Sequence, residues 1–486
     1  MYIIIYILMS SNSLSTNSNT SDDNESSEIK STSMCSDVNI NWKGTIIQDK
    51  YIIIHKIGSG SYCSVWLTYD FINNKEFALK IYNREDYDDA KNEINIFDDL
   101  KKLNINNIIL YEHYIEHQGK SESKSESKSG SESGSESGSE ELKSYENSNA
   151  DDNNIFVLLF MPLCGYSLYN IFKLIGLKDI NVSEIDINIY NSYINLVYDS
   201  VVTINSILKL LHLNGYVHSD IKPENILIKK PSIECDLILE KVKQKIIELK
   251  NNEKSKNKFN ILKNNKKNNK KNNNNNMGWK EELKIFINNL DISELNITLE
   301  NIFNYIFNSP NDIILCDMGT TLKINDRIIL KKHTTYYKAP EIVLNLDYDG
   351  TYDLWSLGCS IYEMLSGNVL FNPFDFELTE QYGENEDKNL LYLIVSSLGL
   401  PDINLINKSK LKQIFFTNNY KSLKGFTSIK YNSILNNLIN KNIFLFNNDV
   451  DINVNIYNKI NKLVSIMYAY LNYDPKKRCV ETQLIL

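Results

Sequence analysis

The stretch "YVHSDIKPENILI", residues 216–228, limits what this chain can fold into more than any other segment of it. Asp220, Lys222 and Asn225 stand at spacings of two and three, and an apolar run with strand character closes the segment. A carboxylate there can accept the proton of an attacking hydroxyl, an ammonium can neutralise a terminal phosphate, and an amide can hold a metal ion. The bland alternative is a polar turn leading into a strand. Several independent residue types falling in register make that the weaker reading.

Around this segment the chain changes texture repeatedly. Residues 1–47 are Ser/Asn/Asp-rich after a short apolar start and are expected to be disordered. The start, "MYIIIYILM", is too short to span a membrane and lacks the flanks of a signal peptide, and no later run is expected to reach spanning length. From residue 48 the text "QDKYIIIHKIGSGSYCSVWLTYDFINNKEFALKIY" reads as three strands with turns at Gly58–Gly60 and Asn73–Asn74. "DYDDAKNEINIFDDLKKL" follows with Ala90, Ile94, Phe97 and Leu100 at helical spacing, then strands near 108–116 and 155–161. Between those strands lies the Ser/Glu/Gly/Lys tract 118–152, whose low complexity cannot form a core. Helices are expected at "SLYNIFKLIG", from Ile189 to Leu213, at "TYDLWSLGCSIYEMLSG", near 388–398, and as a final pair around 457–486. A second insert, 231–311, contains "KNNKKNNKKNNNNN" and reads as mostly disordered and dispensable for folding. Within it, "IFINNLDISELNITLENIFNYIF" is the stretch able to form a docking helix.

A length of 486 residues exceeds a single core, so two lobes with unstructured additions are expected. The seven cysteines are scattered without a C-x-x-C pair, which points to a reducing compartment and no structural metal. The net charge of −9 is uneven: lysines between Lys241 and Lys280 make that stretch roughly +11, leaving roughly −20 elsewhere. An acidic folded part with a basic insert argues against a nucleic-acid-binding core and favours a basic partner or substrate.

Three further segments fit the chemistry of the opening motif. In "IGSGSYCSVWL", Gly58 and Gly60 sit in a strand–turn–strand that can lay backbone N–H groups over phosphates. By itself it is an ordinary hairpin turn, and Cys63 stands where a third glycine is usual. "FALK" puts Lys80 on an apolar strand, where an inward-facing ammonium needs a partner, and Glu93 in the following helix is the natural one. "CDMG" ends a buried strand with Asp317, a second candidate metal ligand.

Together these motifs resemble the protein kinases, and Lys222, two residues after the base, fits the Ser/Thr kinases among them. The resemblance covers roughly 48–486 apart from the inserts. It implies an α+β, bilobal fold: a small β-rich N-lobe, 48–163, and a larger helical C-lobe, 164–486, with ATP and Mg²⁺ between them. Residue by residue it implies a nucleotide loop of Ile57, Gly58, Ser59, Gly60, Ser61, Tyr62, Cys63, Ser64 and Val65. Ala78, the Lys80–Glu93 pair, Phe160 guarding the adenine pocket and a hinge at Met161–Leu163 complete the nucleotide site. Asp220 would be the base with Lys222 beside it, and Asn225 and Asp317 the metal ligands. "APE" at Ala339–Glu341, Asp353 in "DLWSLG" and Arg478 as the partner of Glu341 fill the remaining positions.

"GSYCSVWLTYD", "HSDIKPENIL", "LFNPF" and the large second insert are most similar to the SR-protein kinases of the CMGC group, with LAMMER kinases close. That branch implies monomeric, soluble action on basic Arg/Ser-rich proteins in the cytoplasm or nucleus, with no membrane contact. The acidic run "FDFELTEQYGENED", with Asp375, Glu377, Glu380, Glu384, Glu386 and Asp387, is the candidate docking surface. Ser219 stands where an Arg that seeks an activation-loop phosphate is common, so activity without phosphorylation between Gly319 and Lys338 is expected. The alternative from another class is a pseudokinase scaffold, which the presence of Lys80, Glu93, Asp220, Asn225 and Asp317 weighs against.

Overall fold

The computed structural model describes residues 40–60, 63–118, 155–179, 184–264, 278–308, 312–324, 334–426, 430–441 and 454–478, with backbone alone over 256–264. The expected disorder of 1–39, the tract 119–154 and the last segment, 479–486, lie outside the described residues. Order begins earlier than expected: Trp42 is buried and Ile46–Ile47 forms a short strand, β1, so the boundary at 48 is corrected.

The N-terminal part is one antiparallel sheet of β1, β2 (Tyr51–Ser59), β3 (Cys63–Asp70), β4 (Lys75–Tyr82), β5 (His113–Gln118) and β6 (Ile155–Met161). Its order is β1-β2-β3-β4-β6-β5. Alternation sorts its side chains. Phe77, Leu79 and Ile81 share one face with Trp42, Trp66 and Phe160, whereas Ala78 and Lys80 lie on the other. Helix α1 (Tyr87–Lys101) buries Ala90, Ile94, Phe97 and Leu100, the expected stripe, and carries Glu93 buried among them. The strand expected from 108 starts at His113; Ile108 makes only an isolated bridge to Leu315.

The C-terminal part is helical. Ser167 and Asn170 form a capping box at the start of α2 (Leu168–Ile175), and Gly176 ends it in the left-handed region at φ 81°. Asp186 caps α3 (Ile187–Leu213), which is long and apolar enough to cross a membrane by length and composition, correcting the expectation that no run reaches that length. Its stripe from Tyr190 to Leu211 is buried in the large core shared with the helices that follow. Between α3 and the later helices, β7 (Tyr216–Val217) pairs with β10 (Leu322–Lys323), and β8 (Ile226–Ile228) pairs with β9 (Ile313–Leu315).

The insert 231–311 overturns the disorder expected of it. Its described residues form α4 (Ile233–Asn264), α5 (Trp279–Asn288) and α6 (Leu299–Phe307). Cys235, Ile238, Leu239, Val242, Ile246 and Leu249 recur at helical spacing, and with Leu283 and Ile287 they cover Ile52, Ile54, Leu67 and Tyr69 of the sheet. Ile302 and Ile306 of α6 join the large core. The mean composition, dominated by Lys and Asn, concealed an apolar stripe that needs only one residue in three or four. Residues 265–277, with most of the Asn-rich tract, lie outside the described residues.

Beyond the insert, α7 (Thr351–Ser366) is buried along nearly its whole length; α8 (Phe376–Tyr382), α9 (Glu386–Leu398) and α10 (Val454–Tyr470) follow it, and α10 packs against it. The expected helices at 167–176, 189–213 and 388–398 coincide with α2, α3 and α9.

Candidate active site

The loop between β7 and β8 carries the opening motif, and its shape is imposed from below. Asp353, at the start of α7 and fully buried, accepts hydrogen bonds from the backbone N–H of His218 (2.9 Å) and of Ser219 (2.8 Å), and pairs with His212 Nε2 at 2.8 Å. Ser219 is thereby held at φ 68°, the left-handed region costly for a residue with a Cβ. Its hydroxyl donates to the Thr320 carbonyl at 2.7 Å, tying this loop to the segment after Asp317. The residue that follows this turn is buried as well.

That residue is Asp220. Lys222 Nζ lies 2.6 Å from its Oδ2, and the Asn225 amide donates to the same oxygen at 3.1 Å and to the Asp220 carbonyl at 2.8 Å. The Thr334 hydroxyl donates to Asp220 Oδ1 at 2.8 Å and accepts from Lys222 Nζ at 2.9 Å. Burial works against the charge on Lys222, but Asp220, with Glu224 and Asp317, outweighs it and raises the ammonium above its ordinary range. Thr334 went unnoticed in the sequence, although a hydroxyl five residues before Ala339 was there to be read.

Across from this cluster, Lys80 Nζ donates to both Glu93 oxygens, at 2.9 and 2.8 Å, and sits 3.6 Å from Asp317 Oδ1. Burial opposes the charge on Lys80, yet Glu93 and Asp317 more than offset it and keep the ammonium protonated well above its usual range. Burial likewise works against ionisation of Asp317, and Lys80 and Lys222 outweigh it, holding that carboxyl below the usual range. Asp317 is left-handed at φ 62°. A Cβ on Gly319 would come within 3.0 Å of the Glu93 carboxyl carbon, so glycine there permits the close approach of the segment to α1.

In the nucleotide loop, Gly58 lies opposite Val65 and Ser59 opposite Ser64, and the Gly60 N–H donates to the Cys63 carbonyl at 2.8 Å. Ser61 and Tyr62 lie outside the described residues. Ile57 is exposed, and Val65, Ala78 and Leu163 gather in the cluster beneath α4. Burial pushes the Cys63 thiol up to about 11, so it stands as a neutral group beside Lys80.

Phe160 is a correction. It pairs with Leu79, on the opposite face from Lys80, and is fully buried against Tyr51 at 4.4 Å and stacked on His113 at 4.3 Å. Met161 lies directly across from Ala78 and Leu159 across from Lys80, so Met161 and Leu159 share the face of the sheet that carries Lys80. The acidic run is also less free than expected: Asp387 accepts a salt bridge from Lys338 at 2.6 Å, Glu386 accepts from the Thr335 hydroxyl at 3.3 Å, and Asp375 caps α8. Glu341 and Arg478 form the expected pair, fully buried, with two contacts of 2.6 Å.

The donors present suit a divalent cation held with phosphates. Asp317 offers an ionised carboxylate, and Asn225, with its amide nitrogen committed to Asp220, keeps a carbonyl oxygen as an acceptor. Among the described residues no group of three or more His, Cys, Asp or Glu could hold a metal without such help.

The family model for the protein kinase domain matches residues 287–485. A dual specificity tyrosine-phosphorylation-regulated kinase 3 homolog of Drosophila melanogaster is 36% identical over 105 residues, 22% of this chain and 11% of that protein. A serine/threonine-protein kinase of Acanthamoeba polyphaga mimivirus is 22% identical over 480 residues, 81% of each chain. The serine/threonine-protein kinase dyrk2 of Dictyostelium discoideum is 22% identical over 370 residues, 76% of this chain and 26% of that one. The chain thus spans only about a tenth and a quarter of the Drosophila and Dictyostelium relatives it matches. The chain is thus similar to protein kinases: residues 287–485 match the protein kinase domain model, and two of these relatives bear the name serine/threonine-protein kinase.

Proposed function

We propose that this protein is a bilobal, Mg²⁺-ATP-dependent kinase that phosphorylates Ser/Thr hydroxyls of other proteins. The observation that carries the reading is the Asp220 carboxylate, bonded by Lys222, Asn225 and Thr334 and set across from the Lys80–Glu93–Asp317 group. Asp220 takes the acceptor's proton as the hydroxyl oxygen bonds the γ-phosphorus and the bond to the leaving ADP breaks. Lys222 offsets the charge gathered on the transferred group, and Lys80, held by Glu93, orients the α- and β-phosphates. Asn225 and Asp317 would hold the Mg²⁺, which when bound neutralises phosphate charge. Asp220→Asn should keep ATP binding and lose about 10²–10⁴-fold in kcat, since that is what a positioned base contributes. Equal turnover in mutant and wild type would sink the assignment.

Its substrates are basic, Arg/Ser-rich proteins met inside the cell, in cytoplasm or nucleus, by a monomer whose core binds neither nucleic acid nor membrane. Support comes from the acidic balance outside the Lys-rich insert and from the run Asp375–Asp387 beside the segment that carries Thr335 and Lys338. A positional-scanning peptide library tests it: acidic or neutral peptides phosphorylated as well as Arg/Ser ones would leave only the general kinase reading.

A further inference from the structure

The insert helices touch the rest of the molecule in three places that a mere linker would not join. The first is the turn after β6. Glu234, in the first turn of α4, accepts from the Tyr166 hydroxyl at 2.5 Å, and a Cβ on Gly165 would fall 2.2 Å from the Lys230 carbonyl, so the two backbones run in direct contact. The second is the sheet. Lys250 Nζ donates to the Phe71 carbonyl at 3.1 Å, Lys280 pairs with Asp49 at 3.0 Å, and Lys43 donates to the Leu290 carbonyl at 3.0 Å beyond the end of α5. Val242 and Leu283, both fully buried, join Ile52, Ile54, Leu67 and Tyr69 of the sheet in one apolar cluster. The third is the helical part, where Ile302 and Ile306 of α6 enter the large core, while the Tyr305 hydroxyl ties α6 back to the start of α4 by donating to the Pro231 carbonyl at 3.0 Å and bonding Asp236.

A body fastened to the sheet, to the connecting turn and to the helical core resists their movement relative to one another. The cluster it completes includes Ala78 and Leu163, two residues of the expected nucleotide site. We propose that α4 and α5 act as an internal brace, holding the sheet and the connecting turn in the nucleotide-binding arrangement, so that docking of the insert sets nucleotide affinity. The inference rests on the kinase reading above for its nucleotide. Because such coupling is reciprocal, a nucleotide that gains affinity from the docked insert must in turn favour docking.

Hydrogen exchange on the full-length wild-type chain with and without saturating Mg²⁺-ADP tests this without any substitution. Exchange over 238–249 and 283–287 should slow by about fivefold or more on adding ADP, together with β2–β4. Protection of β2–β4 with no change in the insert would overturn the brace and leave the kinase reading intact. No binding and no protection anywhere would remove the kinase reading, and the brace with it. As a second measurement, Leu283→Asp should weaken ADP binding about tenfold if undocking leaves the competent arrangement a tenth populated. A folded Leu283→Asp protein with wild-type ADP affinity would contradict the proposal.

Discussion

Phe160 and Met161 are neighbours in sequence and opposites in the sheet. Register places Phe160 over Leu79 and Met161 over Ala78, so one fills the outer core and the other shares the face of Lys80. Phe160→Ala should therefore cost roughly 3–5 kcal/mol in chemical denaturation, the range for deleting a buried aromatic ring, while leaving the apparent KM for ATP within about twofold in the folded protein. Met161→Gly should do the reverse, admitting ATP analogues enlarged on the adenine ring with little loss of stability. Equal effects of the two substitutions on analogue use would refute the face assignment. Ser219 makes the same point about a single side chain. Its hydroxyl is satisfied within the protein by Thr320 and carries no charge that would need a phosphate. Protein made phosphate-free with phosphatase should retain activity; activity near zero that phosphorylation restores would contradict this.

At the scale of the element, α9 serves the site through its first turn. Asp387 fastens Lys338, and Glu386 fastens Thr335, on the segment that also brings Thr334 to Asp220. Carboxylates in the acidic run consequently divide into those that hold the protein together and those left to steer a substrate. Neutralising Glu380 and Glu384 to Gln should raise the apparent KM for an Arg/Ser peptide and flatten its salt dependence, with kcat nearly unchanged. Asp387→Asn should instead lower kcat, because releasing Lys338 loosens the segment that carries Thr334. Steady-state kinetics at low and physiological salt separates the two, and a fall in kcat from the Glu380/Glu384 variant would count against the division.

Over the whole molecule, the insert decides how the sheet is finished. Replacing 233–308 with a Gly/Ser link would expose Ile52, Ile54, Leu67 and Tyr69, each worth roughly 1.5–3 kcal/mol when fully buried. Several such losses approach the ~5–15 kcal/mol that holds a typical domain together, so the shortened protein should be insoluble or melt far lower; an unchanged melting temperature would disprove a structural role. The sequence by itself determined what is local. It carried the polar spacing of the Asp220 loop, the stripe of α1 from Ala90 to Leu100, and the pairing of Lys80 with Glu93, whose strand and helix are joined by a short turn. Tertiary structure alone decided which residues of β6 share the face of Lys80, that Thr334 closes on Asp220 from 114 residues away, and that a Lys/Asn-rich insert has a partner for its stripe. The physical reason is the same in each case: spacing along a chain encodes the conformation of a segment, whereas the worth of an apolar face or a hydroxyl depends on what a distant segment sets against it.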